Sequence, residues 1–94
     1  MRTIETKMLA AIAAKQYFGL DNTVVHYNNQ TDQSEVRLFG NHILTYCHGK
    51  PDALQVNKRT FLAHPTRTTV SRLRALGINA RIKQGQPTID GVAI

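Results

Sequence analysis

The segment from Lys58 to Lys83, KRTFLAHPTRTTVSRLRALGINARIK, carries seven basic side chains and no carboxylate. Guanidinium and ammonium groups at this density suit phosphate, which they bind through charge-assisted hydrogen bonds. Thr hydroxyls near a helix start would add further donors. The candidate nucleic-acid-binding residues are Lys58, Arg59, Arg67, Thr68, Arg72, Arg74, Arg81 and Lys83. The alternative is a solvated helix face whose cations lie near the C-terminal end, where the helix dipole favours them.

A second set of side chains combines aromatic rings with cationic groups on one predicted face of a β-hairpin. Bases could stack on such rings while the cations hold the backbone, as in sheet-based binders of single strands. This candidate stacking or partner face consists of Arg37, Phe39, His42 and Tyr46. Two alternatives remain open: a helix covers the face as a second core layer, or a protein partner uses it.

Residue types for catalysis or metal binding occur without a recognisable pattern. The four His residues and Cys47 show neither C-x-x-C nor H-x-x-x-H spacing. Cys47 and His48 are adjacent and would point to opposite faces of a strand, which makes a poor Cys/His pair. The carboxylates are scattered, mostly in predicted turns, and there is no Gly-rich phosphate loop. We therefore expect no enzyme, catalytic residue, metal or cofactor, and we expect Cys47 to be a small buried side chain.

The net charge of +6 comes entirely from the second half of the chain, residues 48–94, because residues 1–47 are neutral overall. This asymmetry favours a polyanionic or acidic partner. The hydrophobic share of 41% is ordinary for a folded chain, and 94 residues predict one domain, 1–94. No apolar run approaches the roughly 18 residues of a membrane span, and a single cysteine fits a reducing cytoplasm.

Two helices are predicted to position these side chains. Apolar residues repeating every four positions predict a helix over residues 3–17, with Thr3 as a candidate N-cap and Gly19 near its exit. The second helix is predicted at about residues 66–76, with Thr66 as its N-cap and Thr68 as the rival. Its expected left-handed stop is Gly77, and its expected buried stripe is Val70, Leu73 and Leu76.

Strands are predicted on both sides of the second helix. TVVHYN at 23–28 has strand character, and SEVRLFGNHILTYCH predicts a hairpin with a two-residue type II′ turn at Gly40-Asn41. ALQVNKRTFLA predicts one further strand that is kinked near Asn57. INARIK and TIDGVAI predict two last strands, with Asp90-Gly91 as a turn.

The predicted fold class is therefore α+β. We expect a small, mostly antiparallel β-sheet with an N-terminal helix and a second helix at about 66–76. The predicted order is α-β-β-β-(β)-α-β-β, with the helices on one face of the sheet.

Three stretches of the chain resemble a group of small accessory proteins of tailed bacteriophages: MRTIETKM, VRLFGNHI and TRTTVSRLRALGINARIKQGQPTIDG. In that group a G-N hairpin precedes a T-x-T-T-x-S-R-L-x-A-L helix, and a β-hairpin ending near N-G or D-G closes the domain. The chain departs from the group at His64, where an apolar or aromatic residue often precedes the Pro. The resemblance implies a phage origin and a place in the cytoplasm of the bacterial host, and it implies no particular activity.

These observations predict a non-enzymatic phage accessory protein that binds nucleic acid through its basic C-terminal half. The alternative is an effector that binds a host protein and inhibits a bacterial enzyme or defence complex, with the basic surface matching an acidic patch. DNA and RNA remain open as partners, as does the oligomeric state, with a homodimer among the options. A membrane partner is not expected.

Overall fold

The computed structural model describes residues 2–94, which form three helices and two antiparallel sheets. The helices are α1 (Thr3–Ala14), α2 (Lys58–Ala63) and α3 (Arg67–Ala75). The strands of the first sheet are β1 (Phe18–Leu20), β2 (Thr23–Asn28), β3 (Gln33–Leu38), β4 (Asn41–Cys47) and β5 (Leu54–Val56). Those of the second are β6 (Ala80–Lys83), β7 (Gln86–Ile89) and β8 (Val92–Ala93). The predicted α+β class is confirmed, with β1, α2 and β8 as additional elements.

The five-stranded sheet is an antiparallel meander in which each strand pairs with the next in sequence, from β1 to β5. One face of this sheet carries the core, and all three helices contact that part of the molecule. The largest fully buried apolar side chains of the core are Phe61, Met8, Ile43, Leu44, Leu73, Val25 and Val36. Within residues 2–94, no helix has the length and apolar character needed to cross a membrane.

Helix α1 ends earlier than its sequence pattern predicts. Lys15 adopts a left-handed backbone with φ 55°, which terminates the helix after Ala14 and leaves Gly19 within β1. At the other end, Thr3 is the first helical residue rather than the N-cap, and the Arg2 N–H donates to Glu5 Oε1 at 3.2 Å. The Lys15 ammonium pairs with Asp32 at 2.9 Å, so a tertiary contact accompanies the early stop.

The turn between β3 and β4 lies one residue earlier than predicted. Leu38 pairs with Asn41, so the two-residue loop is Phe39-Gly40. Both loop residues have positive φ, 51° and 79°, which defines a type I′ rather than a type II′ turn. The prediction of a Gly40-Asn41 turn was therefore wrong.

A β-bulge explains why simple alternation misled the prediction of the two faces of this hairpin. Val36 pairs with Leu44 while Arg37 pairs with His42, which leaves Ile43 as the extra residue. Ile43 and Leu44 are consequently both buried, although they are neighbours in sequence. The bulge shifts every later side chain of β4 to the opposite face from the one predicted.

The segment predicted as one strand over ALQVNKRTFLA contains a helix. Strand β5 ends at Val56, and the Asn57 side chain accepts a hydrogen bond from the Thr60 N–H at 3.2 Å, which caps α2. Phe61 then enters the core and is 1% exposed. Lys58 and Arg59 therefore lie on the first turn of a helix and not on a strand.

Helix α3 agrees with its prediction at both ends. The Thr66 side chain accepts a hydrogen bond from the Thr69 N–H at 3.1 Å, which confirms Thr66 as the N-cap. Gly77 has φ 95°, the left-handed conformation expected after Leu76. The Asp90-Gly91 turn is also confirmed, and it connects β7 to β8 with positive φ at both residues.

Candidate nucleic-acid interface

Two adjoining grooves of about 590 Å³ each lie along α3 and strand β6, and cations line both. Val70 and Ile82 line both grooves and provide apolar surface. Four basic side chains surround these two residues: Arg67, Arg74, Arg81 and Lys83. We call these four cations and the surface between them the basic groove. It brings together half of the residues that the sequence proposed for phosphate binding.

Two regular periodicities place these cations together. On α3, Arg67 and Arg74 are seven positions apart, which is close to two helical turns, so both lie on one side of the helix. On β6, exposed Arg81 and Lys83 alternate with less exposed neighbours. Helix α3 contacts β6, which brings the two basic rows to neighbouring positions.

The charge of the basic groove is not neutralised within the described part of the chain. No carboxylate is among the residues that line it. Within residues 2–94 the carboxylates that form ion pairs do so elsewhere, and none of these pairs includes a cation of the groove. Arg74 Nη1 donates to the Ala80 carbonyl oxygen at 3.2 Å, which orients its guanidinium beside β6 without cancelling its charge. The groove therefore has the electrostatic character of an anion-binding surface.

Arg72 does not belong to this surface. Its prediction as a phosphate-binding residue was wrong, because its side chain is buried. Its side chain is 3% exposed and forms an ion pair with Glu5, Nη1 to Oε2, at 2.8 Å. Nε donates to Thr23 Oγ1 at 2.9 Å, and Nη2 donates to Asn22 Oδ1 at 3.2 Å. All three guanidinium nitrogens are therefore occupied inside the protein, and no phosphate can reach them.

The Glu5 carboxylate receives several hydrogen bonds in return. Burial raises the pKa of Glu5, but hydrogen bonds from the Ser71 hydroxyl, the Arg2 N–H and the Arg72 guanidinium outweigh it. The net pKa lies below the ordinary value of 4.5. Glu5 is 3% exposed, so the pair is a buried structural contact between α1 and α3.

The remaining candidate phosphate ligands lie outside the basic groove. Lys58 and Arg59 on α2 line a different groove, beside β8, together with Leu62, Val92 and Asp90. Thr68 is half-buried in the first turn of α3 and does not line the basic groove. The basic segment of the sequence thus divides into two separate surfaces and one buried residue.

The predicted stacking face is not a single surface, and Tyr46 is the residue that leaves it. Because of the bulge, Tyr46 pairs with Ser34 on the core face of the sheet and packs against the core. Arg37 and His42 remain on the outer face, where Arg37 pairs with Glu35 at 3.3 Å. Phe39 lies at the tip of the hairpin with 70% of its surface exposed.

Two polar clusters escaped the sequence reasoning because they join side chains from different strands or turns. Ser34 Oγ and His48 Nε2 are 2.8 Å apart, but Ser34 is fully buried and its hydroxyl has no access to a substrate. The Tyr27 hydroxyl donates to Asp32 Oδ1 at 2.7 Å, beside the Lys15 ion pair. The hydrogen bond from Tyr27, which has the larger effect, and the one from Lys15 lower the pKa of Asp32. Residues 2–94 contain no group of three His, Cys, Asp or Glu side chains arranged to hold a metal ion.

A family of known proteins matches nearly the whole chain. The family model described as Kyanoviridae Gp96 protein matches residues 1–91. No curated protein and no solved structure matches the chain. The family match confirms that the resemblance to small phage proteins, seen in the sequence, was correct at the level of a phage family. The chain belongs to the Kyanoviridae Gp96 protein family, a family of bacteriophage proteins.

Proposed function

We propose that this phage protein acts by binding nucleic acid, with the basic groove as the surface that holds the phosphate backbone. One observation carries the proposal: four cations from two separate elements line two adjoining grooves, and no carboxylate lines either of them. Phosphate oxygens would accept charge-assisted hydrogen bonds from the guanidinium groups of Arg67, Arg74 and Arg81. The cytoplasm of the bacterial host, where phage and host nucleic acids meet, is the proposed location.

The apolar residues of the groove also fit this ligand. Val70 and Ile82 lie between the cations and offer surface to sugars and base faces, which are less polar than phosphates. Backbone contacts of this kind give affinity without sequence preference, because every nucleotide carries the same phosphate and sugar. The proposal therefore expects binding that depends strongly on salt and weakly on sequence.

The test is a fluorescence anisotropy titration of labelled DNA and RNA oligonucleotides at about 50 and 200 mM salt. The double variant Arg67→Ala, Arg81→Ala removes one cation from each wall of the groove. The matched control, Lys7→Ala with Lys50→Ala, removes two exposed cations from α1 and from the turn after β4. We expect the groove variant to lose affinity and salt dependence while the control keeps both. Equal losses in the two variants, or no binding by the native protein at low salt, would contradict the proposal.

A second candidate function, contact with an acidic host protein, is favoured by the surface around α2 and β8. Leu62 is 50% exposed and Val92 is 66% exposed, and the cations Lys58 and Arg59 line the same groove. Exposed apolar side chains beside charges are typical of protein interfaces. The test is capture of a host protein from nuclease-treated bacterial lysate by the native protein and by Leu62→Asp. Capture that survives nuclease and fails with Leu62→Asp supports this function, and capture by both proteins alike contradicts it.

A further inference from the structure

A second, smaller cleft of about 240 Å³ lies between the tip of the β3–β4 hairpin and the junction of α2 with α3. It is narrower and more enclosed than the basic groove. Its hairpin side consists of Phe39 and Asn41, above buried core residues. Thr60, His64 and Thr66 line its helical side. Pockets for drug-sized molecules measure about 300–1,000 Å³, so this cleft is suited to a single small group.

Phe39 is an unusual residue for its position. It occupies the first loop position of a type I′ turn with φ 51°, where Asn followed by Gly is the preferred pair. A bulky side chain in this left-handed conformation costs about 1–2 kcal/mol. The Phe39 N–H donates to the Asn22 carbonyl oxygen at 2.8 Å, which helps hold the tip in place. The ring is nevertheless 70% exposed, so core burial does not offset its backbone strain. Residues that keep such strain are concentrated at functional sites.

The polar groups around the ring have unused hydrogen-bonding capacity. Among residues 2–94, neither the His64 imidazole nor the Thr60 hydroxyl has a hydrogen-bond partner, and the Asn41 amide makes one long contact of 3.5 Å to the Phe39 carbonyl oxygen. A nucleobase has an apolar face for stacking and an edge with donors and acceptors. An exposed aromatic ring beside a few unpaired polar side chains is complementary to both.

The cleft and the basic groove are lined by adjacent residues at the start of α3. Thr66 lines the cleft, and the next residue, Arg67, lines the groove. A strand whose phosphates follow the groove would therefore bring a neighbouring base to the mouth of the cleft. A base within a duplex cannot enter, because its faces are covered by stacking and its edge is paired.

We propose that the cleft receives one unstacked nucleobase against Phe39, and that the protein consequently selects single-stranded over double-stranded nucleic acid. This inference rests on the proposed function, because the groove supplies the phosphate contacts that bring the base to the cleft. The groove gives general affinity, while the cleft gives the preference for unpaired bases.

Phe39→Asn tests the inference with little risk to the fold, because Asn-Gly is the preferred sequence for this turn. Tyr17→Asn is the matched control, since Tyr17 is equally exposed at 69% and does not line the cleft. The measurement is anisotropy with a single-stranded 12-mer and with a duplex of the same sequence, alongside a thermal melt. We expect Phe39→Asn to weaken single-strand binding about 5- to 150-fold, the range of one lost base–aromatic stack. The affinity of Phe39→Asn for the duplex should equal that of the native protein. Tyr17→Asn should bind both ligands with native affinity.

The possible outcomes separate the inference from the function on which it rests. Equal affinity of the native protein for single strand and duplex, with no effect of Phe39→Asn, overturns the inference. If Arg67→Ala still lowers the affinity for both ligands in that case, the proposed function stands. A loss of affinity for both ligands with Phe39→Asn also overturns the selectivity. Absence of binding to either ligand overturns the inference and the function together.

Discussion

The Arg72 guanidinium and the Glu5 carboxylate meet at 2.8 Å in the interior, although 67 positions separate them in the sequence. The pair connects α3 to α1. Asn22 and Thr23 accept hydrogen bonds from the other guanidinium nitrogens, and Ser71 donates to the carboxylate. Removal of two charges from water is costly, and this network offsets the cost by satisfying each of the guanidinium nitrogens. Arg72 is therefore a structural residue, whereas the other six cations of the segment from Lys58 to Lys83 are exposed.

Arg72→Ala should lower the free energy of unfolding by about 3–5 kcal/mol, because it leaves Glu5 charged and buried without its partner. Arg67→Ala, five positions earlier on the exposed side of α3, should change it by less than about 0.5 kcal/mol. Urea denaturation of the two variants gives the comparison. Similar small losses in both would show that the buried pair is not a structural contact.

The lowered pKa values of Glu5 and Asp32 predict a loss of stability in acid. A carboxyl whose pKa is lower in the folded than in the unfolded state stabilises the fold above its unfolded pKa. That contribution is lost as the pH falls through the folded pKa. The free energy of unfolding should therefore decrease below about pH 4.5, the ordinary pKa of a glutamate.

Urea denaturation between neutral pH and about pH 3 measures this decrease. Glu5→Gln is the informative variant, since it should be less stable at neutral pH and depend less on pH in the acid range. An acid dependence that is identical in Glu5→Gln and the native protein would exclude Glu5 as its source. Asp32→Asn tests the exposed carboxylate in the same way.

The β3–β4 turn should respond in opposite directions to two neighbouring substitutions. Phe39→Asn should stabilise the protein by about 1 kcal/mol, because it relieves the left-handed conformation of a bulky residue. Gly40→Ala should destabilise it by about as much, since its φ of 79° strains any side chain even though the space around it is open. Thermal unfolding of both variants checks the pair. If Phe39→Asn does not raise the melting temperature, the turn is not strained at Phe39.

The two basic surfaces should differ in their effect on nucleic-acid affinity. Arg81→Ala with Lys83→Ala removes two cations of the basic groove, and Lys58→Ala with Arg59→Ala removes the two on α2. Loss of each phosphate contact should reduce the slope of log K against log salt by about 0.7–0.9. We therefore expect the slope to fall by about twice this amount in the first variant and to change little in the second. A larger effect of the α2 variant would indicate that nucleic acid binds at the surface beside β8 instead of in the basic groove.

The elements with strong local signals were predictable from sequence. Helix α3 has a Thr cap and a Gly stop that both agree with the structure. Of its predicted buried stripe, Leu73 and Leu76 are buried, whereas Val70 is only partly buried. The Asp90-Gly91 turn was equally clear. The basic groove itself followed in part, because Arg67, Arg74, Arg81 and Lys83 all lie in the segment without carboxylates.

The errors arose where tertiary contacts decide the outcome. No local pattern shows that Ile43 is a bulge residue, and this single insertion moved Tyr46 to the core face. Likewise, Arg72 has the same side chain as Arg67 and Arg74, and only the position of Glu5 on α1 makes it an interior residue. A kinked strand was predicted near Asn57, whereas the Asn57 side chain caps helix α2. Phe61 anchors that helix in the core.

The long sequence separation of Glu5 and Arg72 also constrains the order in which the protein can fold during its synthesis. Helix α1 leaves the ribosome early, but its acidic side chain cannot enter the interior with its counter-ion until α3 has been translated. A nascent chain that stops before residue 72 would hold Glu5 without its counter-ion and a first helix packed only against β1 and β2. The last step of folding is thus expected to follow translation of α3, and an interrupted chain should be open to proteolysis at its beginning rather than only at its cut end.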